Sequence, residues 1–333
     1  MKTAALAATS ALAAPRLGLA ADAKTLRFIP QANLANLDPI WTTQYVVRNA
    51  GLLIWDTLYG VDDQLQPQPQ MVDGHEVSPD FKTWTFTLRP GLKFHDGEPV
   101  RAKDVVASIS RWMVRDAPMG GPIKKRLDAL VAVDDRTFKF QLNQPYPKLL
   151  FALGKSSTPT LFIMPERVAA TDPFKQITDY VGSGPMRFKR DEWVPGAKAI
   201  FERFDGYAPR PEKANWLAGG KRINFERIEW QIVPDAATAS AALQNGEVDW
   251  WETALPDLSR WISPTLWAIS ARSASITSSR RSMTCAPAAP CRSPSARRTT
   301  WVLWSATTKR CGRHCPASSP PTRRCIRNSA ASR

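Results

Sequence analysis

The chain has 333 residues, of which 43% are hydrophobic and 23% charged, with 45 Lys and Arg against 30 Asp and Glu and a formal charge of +15. This length accommodates two compact domains and excludes a single small one, and the composition is that of a globular protein. The charge is local. Through Trp261 there are 32 basic and 30 acidic residues, whereas residues 262–333 hold 13 basic residues, no acidic residue and all five cysteines. The overall charge therefore gives no reason to expect a nucleic-acid partner for residues 1–261.

Met1-Lys2 precedes an Ala-rich stretch to Ala14, and Leu19-Ala20-Ala21-Asp22 reads as a small-residue cleavage region. Together they predict a signal peptide over 1–21 and export of the chain. No later window approaches the ~20 apolar residues that span a bilayer. The absence of Cys from Met1 to Thr284 suits an oxidising compartment.

Thr25 to Ile29 alternates like a half-buried strand and leads into a polar loop from Asn33 that closes on Leu37-Asp38-Pro39. From Gln44 the apolar residues Val47, Ala50, Ile54 and Leu58 fall at steps of three and four, predicting a helix that Gly60 ends. Thr83 to Arg89 alternates strictly, with Trp84, Phe86 and Leu88 on one face, and the turns Pro90-Gly91 and Asp96-Gly97 follow. Lys103–Met113 places Val105, Val106, Ile109, Trp112 and Met113 on a helical stripe, and Thr137–Leu142 alternates after Asp134-Asp135. Ile228–Val233 predicts a strand, Asp235 caps an Ala-rich helix that stops at Asn245-Gly246, and Glu247–Glu252 predicts a returning strand. Helices mixed with strands, some of them antiparallel in character, indicate an α/β (α+β mixed) fold.

These segments resemble the family 5 extracellular solute-binding proteins, which include periplasmic dipeptide-, oligopeptide- and nickel-binding proteins. The resemblance rests on Leu37-Asp38-Pro39, on the block Trp84 to Pro99 with Phe94-His95-Asp96-Gly97, and on Ala102-Lys103-Asp104-Val105. It continues through Phe138–Leu142 with Pro145, Gly182-Ser183-Gly184-Pro185 and Leu243 to Asp249, and so covers about residues 25–257 in order. It implies two lobes that close over a ligand by hinge motion. Residues 22–257 are then lobe I of a periplasmic-binding-protein-like fold, with an inserted subdomain at 61–180 and the second lobe missing. It also implies a periplasmic receptor, monomeric and without cofactor, that binds a peptide or peptide-like small solute and delivers it to ABC transporter permease subunits with a separate ATPase. Nickel chelate, haem, glutathione or an opine are alternative cargoes.

No catalytic constellation is legible, since His75 and His95 are the body's histidines and neither accompanies a nucleophile elbow. His95, Asp96 and Glu98 read as a turn rather than a metal site. Gly182-Ser183-Gly184-Pro185 lacks the Lys of a phosphate-binding loop and the spacing of a dinucleotide site, so its glycines answer to backbone conformation near the ligand. The ligand-binding candidates, chosen for their placement on cleft-side loops, are Trp41, Thr43, Gln44, Ser156, Ser157, Gly182, Ser183 and Trp251. Of the adjacent Trp250 and Trp251, one indole faces the core and the other the cleft, and the sequence does not say which.

Residues 258–333 differ in kind. From Ile262 onward Ser, Arg, Ala, Thr and Pro dominate without sustained periodicity. A nucleic-acid-binding arm is one reading, and a metal site at Cys311, His314 and Cys315 another. An out-of-frame translation of GC-rich coding sequence accounts for more, because it explains the missing acids and the onset in mid-domain.

Overall fold

The computed structural model describes residues 24–254. The predicted signal peptide and the basic tail with its cysteines lie outside the described residues.

In chain order the elements are β1 (Thr25–Ile29), α1 (Tyr45–Ile54), β2 (Tyr59–Val61), β3 (Pro67–Pro69), β4 (Val72–Val77), β5 (Thr83–Leu88), α2 (Ala102–Arg115), α3 (Gly120–Arg126) and β6 (Leu127–Ala132). They continue with β7 (Thr137–Leu142), α4 (Leu149–Leu153), α5 (Glu166–Ala169), β8 (Met186–Phe188), β9 (Lys198–Arg203), β10 (Arg227–Gln231), α6 (Ala236–Gln244) and β11 (Trp250–Trp251).

One sheet has the order β11-β1-β10-β9-β8, and β1 runs parallel to both of its neighbours. β9 pairs antiparallel with β10 and β8. Because side chains alternate across a strand, one face collects an aromatic row that crosses all five strands. Phe28 lies 4.8 Å from Trp250 and 5.3 Å from Trp230 between ring centroids, Trp230 lies 5.2 Å from Phe201, and Phe201 lies 5.6 Å from Phe188. The opposite face packs Ile29 and Trp251 against Ala239, Leu243 and Val248 at α6. This resolves the tryptophan pair: Trp250 joins the aromatic row, and Trp251 is half-buried on the α6 side.

A second sheet, β4-β5-β7-β6, is antiparallel throughout and lies within segment 61–180. Trp84, Phe86, Leu88, Phe138 and Phe140 are buried on its inward face, where Phe86 stacks on Phe138 at 5.0 Å. Apolar burial at every second position fixes the register, since a one-residue slip would turn all five side chains to solvent. Helix α2 covers this core with Val105, Ile109, Trp112 and Met113, and its Trp112 Nε1 donates to Pro159 O at 3.0 Å. The aromatic face of the first sheet and the inward face of the second form one connected cluster with the buried residues of α1.

Three boundaries differ from expectation. Helix α1 ends at Ile54, and Trp55 is extended; Leu58 is buried all the same, because the chain runs on through the core. Gly60 belongs to β2, where a Cβ would meet Leu217 O at 2.1 Å. It is a close-approach glycine, not a helix stop. The strand expected over Glu247–Glu252 is confined to β11, and β10 stops at Gln231. Asp235 caps α6 as predicted, accepting the Thr238 N–H at 2.7 Å.

Candidate ligand-binding face

The loop from Gln31 to Gln44 lies between β1 and α1, and Asp38 organises it. Its carboxylate accepts the N–H groups of Ile40 at 3.0 Å, Trp41 at 3.1 Å and Ile177 at 3.0 Å. Arg111 of α2 donates to both of its oxygens, at 3.2 and 2.7 Å. Trp41 is held again through its carbonyl, which accepts from Arg115 Nη2 at 2.8 Å, and its indole is exposed. Thr43, Gln44 and Tyr45 follow, all exposed.

Segment 155–158 is brought against this loop. Thr158 Oγ1 donates to Thr43 O at 2.9 Å, and Arg48 Nη1 to Ser156 O at 3.0 Å. Lys155 anchors the segment from beneath through a buried ion pair with Asp116, beyond the end of α2, and a 3.1 Å bond to Thr158 O. The end of β11 closes the same face: Glu252 accepts the Gln31 N–H at 2.9 Å and Asn49 Nδ2 at 3.1 Å. Trp41, Thr43, Gln44, Ser156 and Ser157 therefore stand on segments linked into one face, whereas Trp251, one residue before Glu252, packs its side chain on the α6 side.

Gly182 and Ser183 are placed differently. A Cβ on Gly182 would meet Ile54 O at 1.9 Å. Ser183 is buried, accepting the Asp56 N–H at 3.1 Å and donating to Ile163 O at 3.1 Å. Their contacts tie the turn to the end of α1. His95 clamps it from the other side: Nδ1 accepts the Gly182 N–H at 3.1 Å, so Nε2 carries the proton and donates to Gly184 O at 3.0 Å. Burial pushes the imidazole down to about 4, which keeps it neutral, and the two backbone partners fix the tautomer. His95 thus joins the turn Phe94-His95-Asp96-Gly97 to the turn at Gly182–Gly184. Among the described residues there is no group of three or more His, Cys, Asp and Glu side chains placed to hold a metal.

Arg48, Asn49 and Glu252 belong to this face and were not singled out from sequence. The available signal was on α1, where Gln44, Tyr45, Arg48 and Asn49 fall on the side opposite the buried Val46, Val47, Ala50 and Ile54. Glu252 carries no local pattern, and only the pairing of β11 with β1 brings it here.

Comparison with known proteins agrees with this architecture. Residues 66–265 match the family described as bacterial extracellular solute-binding proteins, family 5 Middle; the match continues past Asp257. A probable peptide ABC transporter periplasmic-binding protein of Sinorhizobium fredii is 42% identical over 252 residues, which are 73% of this chain and 46% of that protein. A glutathione-binding protein of Pectobacterium atrosepticum is 29% identical, over 65% of this chain and 39% of its own length. Among solved structures, the PBP AgaA from A. tumefacien R10 in complex with agropinic acid superposes with a TM-score of 0.55 at 26% identity, covering 68% of this chain and 43% of that one. The chain thus spans less than half the length of each. With the family match covering more than half of its residues, the chain belongs to the bacterial extracellular solute-binding proteins of family 5.

Proposed function

We propose that residues 22–257 are lobe I of an extracytoplasmic receptor for an ABC importer, with 61–180 as its inserted subdomain, and that it binds peptides or peptide-like solutes in the periplasm. The family is one of solute-binding receptors, not of enzymes. The observation that carries the reading is the single face on which Trp41, Thr43, Gln44, Ser156 and Ser157 stand, built from segments distant in sequence and held together by hydrogen bonds of Asp38, Lys155 and Glu252, with Trp251 one residue before Glu252 in the chain. An exposed indole beside hydroxyl and amide groups suits an amphipathic solute. Gly182 and Ser183 pack against the far end of α1, the helix whose first turn borders this face. Permease subunits and a separate ATPase are the partners that this reading implies. The similarity to a glutathione-binding protein favours a second cargo, a small peptide-like thiol, at the same face.

Amide resonances of the 333-residue chain, followed during titration with trialanine and with glutathione, test the reading. Shifts grouped at Trp41–Gln44, Ser156–Ser157 and Trp251 are expected. Shifts grouped elsewhere, or none up to tens of millimolar ligand, overturn it.

A further inference from the structure

Arg48 of α1 links the helix to segment 155–158 on the candidate face. Its Nε and Nη2 donate to Asn49 Oδ1 at 3.2 and 2.8 Å, its Nη1 donates to Ser156 O at 3.0 Å, and its guanidinium carbon lies 4.5 Å from the Tyr45 ring centroid. Every one of these partners is neutral. Burial lowers the affinity of the group for its proton, while Tyr45 and Glu252 act in the opposite sense. An arginine keeps its charge under such conditions, so the cost of desolvation is met here by dipoles rather than by an anion.

The nearby carboxylate is held off. Glu252 Oε1 takes Asn49 Nδ2, and Oε2 takes the Gln31 N–H. The Asn49 amide therefore stands between cation and anion, with its oxygen toward Arg48 and its nitrogen toward Glu252, in the place where an internal ion pair would otherwise form. Arg27 and Arg111 do form such pairs, with Asp249 and Asp38. Arginines with only carbonyl acceptors occur elsewhere, as Arg136 does at Leu88 O, but Arg136 stitches backbone within a sheet. Arg48 stands at the junction of the three segments that make the face. Among the described residues three of its five N–H groups are engaged, which leaves one on each Nη, the number a carboxylate takes in bidentate fashion.

We propose that Arg48 is the carboxylate-binding residue of this face, so that the cargo carries a free carboxylate such as a peptide C-terminus, and that Asn49 is a positioning residue that keeps Glu252 from neutralising it. The proposal rests on the peptide-receptor reading above and narrows it to one end of the ligand.

The test follows the Arg48 Nε–H resonance of the 333-residue chain, labelled with ¹⁵N-arginine, during titration with trialanine and with trialanine C-terminal amide. The free acid is expected to bind at least about tenfold more tightly than the amide. Arg48→Gln should remove that difference, and Arg48→Lys should retain part of it. Equal affinities for acid and amide, or a difference that survives in Arg48→Gln, overturn the proposal. Should neither peptide move any resonance of the face, the peptide reading itself fails. Succinate against succinamide then decides on Arg48: a shift with succinate alone sustains the carboxylate site, and an unmoved Nε–H refutes it.

Discussion

Asp38 and Arg111 form a bidentate ion pair buried almost completely, at 1% and 2% side-chain exposure, between the loop that carries Trp41 and the helix that covers the four-stranded sheet. Arg111 also donates to Thr171 O and Lys175 O, so the pair joins three segments. Removing one partner strands the other in the core, at a cost of about 3–5 kcal/mol. Arg111→Met and Asp38→Asn should each destabilise by that order. The double substitution should cost less than the sum, because each single change breaks the same ion pair and strands one charge in the core, whereas the double leaves no unpaired charge. Chemical denaturation in a double-mutant cycle measures the coupling, and strict additivity would refute it.

Lys155 has the same standing beneath the other half of the face. Its ammonium pairs with the buried Asp116 and with Thr158 O, so Lys155→Met leaves Asp116, among the described residues, with only the N–H groups of Met119 and Gly120. A loss of about 3–5 kcal/mol is expected. Hydrogen exchange at Gly154 and Lys155, whose N–H groups bond Leu150 O and Ala152 O, should accelerate well beyond the rise seen at β5 and β7, as a local opening requires. Uniform acceleration across the chain would show that Lys155 serves the whole core and not this segment.

Much of this was legible in the sequence, and the parts that were not share a cause. β5, β7, α2 and the cap at Asp235 follow from local periodicity and capping chemistry, and they formed where expected. Gly60 and Gly182 look like ordinary punctuation in sequence, yet each marks a point where two distant backbones touch, at Leu217 and Ile54. The site shows the same division. Trp41, Thr43 and Gln44 could be read from their place after a polar loop, whereas Glu252 reaches the face only through a parallel pairing across more than two hundred residues of sequence. No window of local sequence contains that information.

Gly182 gives a direct test of the close approach. A methyl group there meets a carbonyl oxygen at 1.9 Å, and the obstacle is backbone, which cannot rotate away. Gly182→Ala should destabilise by about 2–3 kcal/mol, at the upper end of overpacking costs. Ser183→Ala, which removes bonds to Asp56 and Ile163 but adds no atoms, should cost about 1–2 kcal/mol. The order of the two, read from denaturation midpoints, is the discriminating result. A neutral Gly182→Ala would mean that the turn lies farther from α1.

His95 should make the fold sensitive to acid in a defined window. Its imidazole is neutral in the clamp, with a pKa lowered from 6.5 to about 4 by burial, and with the Arg187 charge acting in the same sense. Hydrogen bonding to Gly184 and the Asp96 charge oppose that shift without cancelling it. A base depressed on folding binds its proton more readily in the unfolded chain, so its contribution is complete above about pH 6.5 and is lost as pH falls toward 4. Between pH 7 and 4.5 the loss from this one group comes to about 2 kcal/mol. His75, also lowered by burial, acts in the same direction and sets the background. The carboxylates lowered by hydrogen bonding, Asp80 and Asp134 among them, lose their contribution only at more acid pH. His95→Gln, less stable at neutral pH because the Gly182 N–H loses its acceptor, should lack most of the slope between pH 7 and 4.5. An imidazole resonance of His95 titrating near 6.5 in the folded chain, or an unchanged slope in His95→Gln, would show that the clamp does not hold the neutral ring.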